Sequence, residues 1–253
     1  MVKAVILAAG RGTRLRPLTA DLPKCLLQVG GRPLLASLLE ILASLGIAEI
    51  CLVTGYLQEQ IRTFVETVIS SLPLTFTFVE NPRYAETNNL HSLWVARDQV
   101  EGFPFVVLYA DILFHPAILQ GCLQGPGEIR LAVSREIYGE TMKVVDDGEQ
   151  VLAVSKAISS REATGTFLGI ARFSVKGGRL LFTELEELVE ADSSALYFTA
   201  ALERLIAKGF PVHCSVTSGL PWIDIDGPTE LTQAQREIIP RIRPVPTHNK
   251  RSP

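Results

Sequence analysis

Gly10, Arg11, Gly12, Arg14 and Lys24 crowd into one short stretch that follows the first apolar run of the chain. Glycines let a backbone approach a ligand closely and aim N–H groups at phosphate oxygens. The cations beside them supply positive charge, so the stretch reads as a phosphate-binding loop. Two common versions are excluded by what stands at particular positions. A dinucleotide loop, G-x-G-x-x-G, needs a glycine where Leu15 stands, and no Gly-Lys-Ser/Thr follows at P-loop spacing.

The stretch carries a longer pattern. Gly10-Arg11-Gly12-Thr13-Arg14-Leu15-Arg16-Pro17-Leu18-Thr19, closed by Pro23-Lys24, resembles the signature G-x-G-[ST]-R-[LM]-x-P-L-T-x(3)-P-K of the nucleotidyltransferases that make NDP-sugars and CDP-alcohols. The likeness continues through Val29 to Leu35 and covers roughly Val2 to Thr232. It implies an enzyme that joins the nucleoside monophosphate part of an NTP to a small acceptor and releases pyrophosphate, with Mg²⁺ as its cofactor. It also implies an α/β fold, Rossmann-like, with three α/β/α layers around a mixed, mostly parallel sheet. By the same likeness Leu7, Ala8, Ala9 and Gly10 line the nucleobase and ribose, and Gly12, Thr13 and Arg14 wrap the triphosphate. Arg14 and Lys24 are then the catalytic cations, Lys24 neutralising charge around the α-phosphate.

Phosphoryl chemistry of this kind depends on alignment and on charge neutralisation, and Mg²⁺ supplies part of both through one or two carboxylates. One carboxylate is expected at the carboxyl end of a central strand beside the loop. The strand around Phe103 to Ala110 is such a strand, and Asp111 follows it, next to Ala110. The partner is expected from Trp222-Ile223-Asp224-Ile225-Asp226, whose alternating aspartates face one side of an extended segment. That segment resembles the family's W-x-[DE]-[IV]-D. The choice between Asp224 and Asp226 stays open, and Asp226 could instead cap the helix that starts near Pro228.

Asn81-Pro82-Arg83-Tyr84-Ala85-Glu86-Thr87-Asn88-Asn89-Leu90-His91-Ser92-Leu93 resembles a stretch of the phosphocholine and 2-aminoethylphosphonate cytidylyltransferases, which points to CTP. Amide side chains both donate and accept, which suits reading a cytosine edge, so Asn88, Asn89 and Ser92 are candidate nucleotide contacts. Thr87 or Asn88 also suits a helix N-cap. His91 reads as a helix-face residue. Lys156 resembles the family lysine that meets the acceptor phosphate, with Lys143 as its competitor. Tyr197 and Trp222, with Tyr84, could box a quaternary amine, or could serve as ordinary core. The chain departs from the choline-type pattern at Thr166 and at Thr199-Ala200, where acidic residues are expected, so the charge of the acceptor stays open. The alternatives are a sugar-1-phosphate nucleotidylyltransferase using UTP, dTTP or GTP, and a silent nucleotide-binding module.

These residues need a frame. Apolar runs at Ala4–Ala8, Glu49–Thr54, Leu74–Val79 and Phe103–Tyr109 read as strands, alternating with amphipathic helices over Pro33–Ser44, Leu57–Ser70 and Thr87–Gln99. That alternation predicts parallel strands covered on both faces. The second half reads as antiparallel strands over Ile129–Ser134, Lys143–Val145, Val151–Ser155 and Phe167–Phe173, with Asp146-Asp147-Gly148 as a hairpin turn. Helices over Leu180–Glu190 and Ser194–Lys208, a strand over Pro211–Val216 and a closing helix over Thr229–Ile239 complete it. We expect one catalytic domain over residues 1–240 and a disordered tail over 241–253.

Composition bounds the partners. The 253 residues carry a formal charge of −3, which leaves no broad basic surface for nucleic acid. Four scattered cysteines, Cys25, Cys51, Cys122 and Cys214, show no ligand or disulfide spacing and read as buried thiols. The first apolar run is too short for a membrane span, so a cytoplasmic protein without a membrane partner is expected. A homodimer is possible, as such families often form one, but no interface can be read.

Overall fold

The computed structural model describes residues 1–137, 140–193 and 195–242. In chain order the elements are β1 (Lys3–Leu7), β2 (Gln28–Val29), β3 (Arg32–Pro33), α1 (Leu34–Ser44), β4 (Glu49–Thr54), α2 (Gln58–Val68), β5 (Thr75–Glu80), α3 (Asn89–Val95) and α4 (Arg97–Val100). There follow β6 (Phe105–Tyr109), β7 (Ile112–Phe114), α5 (Pro116–Gln124), β8 (Ile129–Ser134), β9 (Lys143–Asp146), β10 (Val151–Ser155) and β11 (Gly165–Phe173). The chain continues through α6 (Val175–Glu190), α7 (Thr199–Ala207), β12 (His213–Val216), β13 (Trp222–Asp224), α8 (Pro228–Gln233) and α9 (Ile239–Ile242).

A nine-stranded mixed sheet runs β10-β9-β11-β6-β1-β4-β5, with β8 and β12 joined through β11. The strands β6, β1, β4 and β5 are parallel neighbours, as the alternation of the first half predicts. Side chains of successive strand residues face opposite ways. Ala4 and Ile6 therefore pack with α1, α2 and α5, whereas Val5 packs with α3, α6 and α7. Both faces of β1 are covered, which is why its sequence is apolar throughout. The result is three layers.

The second half departs from simple antiparallel pairing. β8 pairs antiparallel with β11 on one side and parallel with β12 on the other. The β9–β10 hairpin forms as expected, with Asp147 Oδ1 accepting from the backbone N–H groups of Glu149 and Gln150.

Element ends differ from expectation for identifiable reasons. The helix predicted over Thr87–Gln99 is split at Ala96 into α3 and α4. α7 starts at Thr199, and Ser194, its expected first residue, lies outside the described residues. α5 was not anticipated, although His115 caps it by accepting from Ala117 N at 3.2 Å and Pro116 opens its first turn. The closing helix is not regular either. It widens to a five-residue turn over Ala234–Ile238 before α9. Pro240 has no N–H to continue the ordinary ladder there, which favours such a widening. Arg241 and Ile242 end that helix, and residues 243–253 of the expected tail lie outside the described residues.

Candidate active site

β1 lies between β4 and β6, with Leu7 level with both Val53 and Tyr109. From β1 the chain order runs outward in opposite directions, so a crevice opens beyond the carboxyl ends of β1 and β6. A cleft of about 800 Å³ fills that crevice.

The phosphate loop forms its wall. Gly12 has φ +59°, and a Cβ there would stand 3.0 Å from Lys24 Cβ and 3.2 Å from Thr19 Cγ2. Only a residue without a side chain permits both the left-handed backbone and that close approach. Leu15 anchors the loop from below, in a small core with Leu27, Val29, Ile223, Ile225 and Ile238. The same core holds β7, β13 and the C-terminal helices, so it ties the loop to the remote carboxylate segments.

Lys24 is the hub. Its Nζ lies 2.6 Å from Asp111 Oδ2 and 2.8 Å from Asp226 Oδ1, and Arg14 Nη2 lies 2.8 Å from Asp226 Oδ2. The Lys24 side chain is 12% exposed. Burial alone would lower the Lys24 amine, but the charges of Asp111, Asp224 and Asp226 outweigh this and hold it well above its ordinary value. The carboxyl of Asp224 is pushed well upward, first by burial and then by the charge on Asp111. Burial pushes Asp226 up as well, but Lys24 and Arg14 overcome it and hold that carboxyl below its ordinary value.

The carboxylates can hold a cation. One oxygen from each of Asp111, Asp224 and Asp226 lies within 4.8 Å of the others. Asp111 Oδ1 and Asp224 Oδ1 are buried and accept no hydrogen bond among the described residues. Buried acceptors left without donors are rare and call for an explanation such as an ion. A donor set of carboxylate oxygens suits a hard divalent cation such as Mg²⁺. Asp226 does not cap α8, because Gly227 occupies that position.

Every residue singled out in the sequence as nucleotide-contacting, catalytic or metal-holding lines this one cleft, and so do Lys156, Tyr197 and Trp222 among the expected acceptor contacts. Arg14 and Lys24 are the loop cations that line the cleft; Arg11 and Arg16 are exposed and outside its lining. The amides of the Asn81–Ser92 stretch are already engaged with the protein. Asn88 caps α3 by accepting from Asn89 N, Asn89 Oδ1 accepts from Phe198 N at 2.8 Å, and Ser92 Oγ accepts from Asn81 at 3.0 Å. His91 is buried in α3.

At the far end of the cleft Lys156 Nζ donates to Tyr197 Oη at 2.8 Å and stands 4.4 Å from the ring centroid. Burial would raise the Tyr197 phenol, but Lys156 and Asn88 overcome this and lower it. Lys143, the alternative to Lys156, is buried within β9 and lies outside the cleft lining. Tyr84 turns toward Tyr56, with ring centroids 6.3 Å apart, and packs on Gly55. The ring of Tyr197 therefore already faces an ammonium of the protein itself, which leaves less of it for a quaternary amine.

Some lining residues were not anticipated. Glu136 and Glu140 reach the cleft from the loop after β8, and Glu230 and Glu237 reach it from the C-terminal helical segment. Thr166 stands where an acid was expected, and its hydroxyl instead donates to Glu136 O at 2.8 Å. The acidic groups at this end thus come from the adjacent loop. No motif spacing marks them, because only the β8–β11 pairing brings the loop there.

This arrangement defines a class. The family model described as the MobA-like NTP transferase domain matches residues 4–163, and the chain belongs to that family. It is a nucleotidyltransferase. Among curated relatives, the CMP-5'-(3-aminopropyl)phosphonate synthase of Streptomyces rubellomurinus is 31% identical over 94% of this chain, which spans 39% of that protein. The CTP:phosphoglutamine cytidylyltransferase of Campylobacter jejuni is 27% identical over 91% of this chain and 98% of its own length. Among solved structures, the CTP:phosphocholine cytidylyltransferase of Streptococcus pneumoniae superposes with a TM-score of 0.73 at 25% identity, covering 92% of this chain and 97% of that one. Among the described residues no helix is long and apolar enough to cross a membrane.

Proposed function

We propose that this nucleotidyltransferase transfers CMP from CTP to a small phosphate or phosphonate acceptor. The observation that carries the reading is Lys24, ion-paired to carboxylates from two remote stretches inside a cleft walled by the phosphate loop. The relatives named above act, by their names, on phosphonate- or phosphate-bearing acceptors and form or use cytidine nucleotides.

In this reading an acceptor oxygen attacks the α-phosphorus in line. The bond from the α-phosphorus to its bridging oxygen breaks, and pyrophosphate leaves. The acceptor oxygen is already anionic near neutral pH, so no general base is needed. Arg14 and Lys24 carry the charge of the triphosphate, and Lys24 stabilises the α-phosphate oxygens as they become more negative. Asp111, Asp224 and Asp226 would hold Mg²⁺, which when bound neutralises phosphate charge. Lys156 meets the acceptor's phosphorus group. Glu136 and Glu140 supply negative charge at that end, which favours acceptors carrying a positive group alongside the phosphate or phosphonate.

Pyrophosphate release, measured with each of CTP, UTP, dTTP and GTP, tests the nucleotide. Phosphocholine, phosphoethanolamine, aminoethylphosphonate, polyol phosphates and a sugar 1-phosphate are offered as acceptors. CTP with a phosphate or phosphonate acceptor is expected to give the highest kcat/KM. Equal or better turnover of UTP or dTTP with the sugar phosphate would overturn the proposal.

A further inference from the structure

We infer that Tyr56 is a positioning residue for the triphosphate site, fixing both ends of the phosphate loop from outside the cleft. The inference rests on the reading of that loop as the triphosphate cradle. Tyr56 follows β4 and is not part of the cleft lining. Its backbone N–H donates to Ala9 O at 3.1 Å, where the loop leaves β1. Its hydroxyl lies between the carbonyls of Thr19, at 3.2 Å, and Ala20, where the loop's first arc ends. One residue thus spans the arc.

The connection runs onward to the catalytic cation. Thr19 is fully buried, and its Oγ1 donates to Gly12 O at 2.7 Å. Gly12 in turn sits against the Lys24 side chain. Gln60, in the first turn of α2, extends the brace by donating to Asp21 O at 3.0 Å. Leu57, directly after Tyr56, holds φ +50°, a conformation that a leucine keeps only when its surroundings fix it. On its other side the Tyr56 ring neighbours Tyr84, which does line the cleft. Loosening this brace would let Gly12, Thr13 and Arg14 drift relative to Lys24. The cost would fall on the triphosphate and spare the acceptor.

Tyr56→Phe removes one oxygen and keeps the ring. The loss of a single neutral hydrogen bond is expected to raise KM and Kd for the NTP roughly three- to tenfold, with acceptor KM and Tm nearly unchanged. Thr19→Val breaks the next link, and the double variant should be less than additive because both loosen one loop. Kd is read by calorimetry with the NTP that binds the wild type most tightly, independently of turnover. If the wild type turns over none of the offered acceptors while Tyr56→Phe still weakens NTP binding, the acceptor reading falls and the brace stands. If Tyr56→Phe lowers Tm but leaves NTP Kd and KM as in the wild type, Tyr56 is merely structural and the inference is wrong.

Discussion

Asp111 and Asp224 are held side by side by a backbone hydrogen bond, although 113 positions separate them by number (224 − 111). Asp224 is paired with Ile112 in the β7–β13 ladder, and the N–H of Ile225 donates to Asp111 O at 3.1 Å. Two acidic side chains in such proximity repel unless a cation lies between or beside them. Lys24 provides one cation, and one oxygen of each residue, without a hydrogen-bond partner among the described residues, is available to another.

Replacing either acid by its amide should therefore damage chemistry and spare the fold. Asp111→Asn or Asp224→Asn keeps shape and removes charge. We expect kcat to fall roughly 10²- to 10⁴-fold, as for other preorganised charge groups; Asp224→Asn should hold or raise Tm because repulsion is relieved, whereas Asp111→Asn should lower Tm modestly because buried Lys24 loses an ion-pair partner. Near-normal turnover would remove Asp111 from the mechanism.

Cation binding should be visible without any substrate. An ion that binds only the folded state stabilises it by mass action. Millimolar Mg²⁺ should raise the Tm of the wild type, and Asp224→Asn should abolish most of that rise. EDTA should stop pyrophosphate release, and added Mg²⁺ should restore it. A Tm indifferent to Mg²⁺ in the wild type would count against the carboxylate cluster as its site.

Lys24 bridges Asp111 and Asp226, whereas among the described residues Arg14 is ion-paired with Asp226 and not with Asp111. Lys24→Met should lower kcat roughly 10²- to 10³-fold while the acceptor KM changes little. A variant that altered only acceptor KM would place Lys24 at the wrong end of the cleft.

The Arg135–Asp146 pair should set part of the acid stability. Arg135 contacts both carboxylate oxygens of Asp146, at 2.6 and 3.0 Å, and the Asp146 side chain is 1% exposed. Burial would raise the Asp146 carboxyl, but Arg135, Thr164 and the Gly148 N–H outweigh it and lower it. A lowered folded-state value means the contribution is complete above the ordinary carboxyl range and is lost as pH falls below it. Asp146→Asn should cost about 1–3 kcal/mol near pH 7 and flatten the loss of Tm in acid. An unchanged pH profile in that variant would show that the pair does not contribute.

The acceptor end offers a cleaner discrimination. Glu140→Gln removes one of the two acids of the β8 loop that line the cleft. It should raise KM for an amine-bearing acceptor several-fold and leave KM for CTP unaltered. A shift in CTP KM alone would assign the residue to the nucleotide.

Much of this enzyme was legible in the chain because its signals are local. Gly10, Gly12, Arg14 and Lys24 lie within one loop, and a loop's backbone needs are written in its own residues. The apolar run of β1 reads as a strand for the same reason, being covered on both faces. The alternation of Asp224 and Asp226 puts both on the side away from buried Ile223 and Ile225, as the period of a strand requires.

What was not legible depends on pairing at a distance. β7 is only Ile112–Phe114 and makes sense as a strand only beside β13. Glu136 and Glu140 carry no motif, and their place in the cleft follows from where β8 lies against β11. The role of Tyr56 hangs on hydrogen bonds to backbone carbonyls, which any sequence supplies equally. Residue type and spacing determined which groups could do chemistry. The folded chain alone decided which of them meet, because register and burial are properties of neighbours that the sequence does not list side by side.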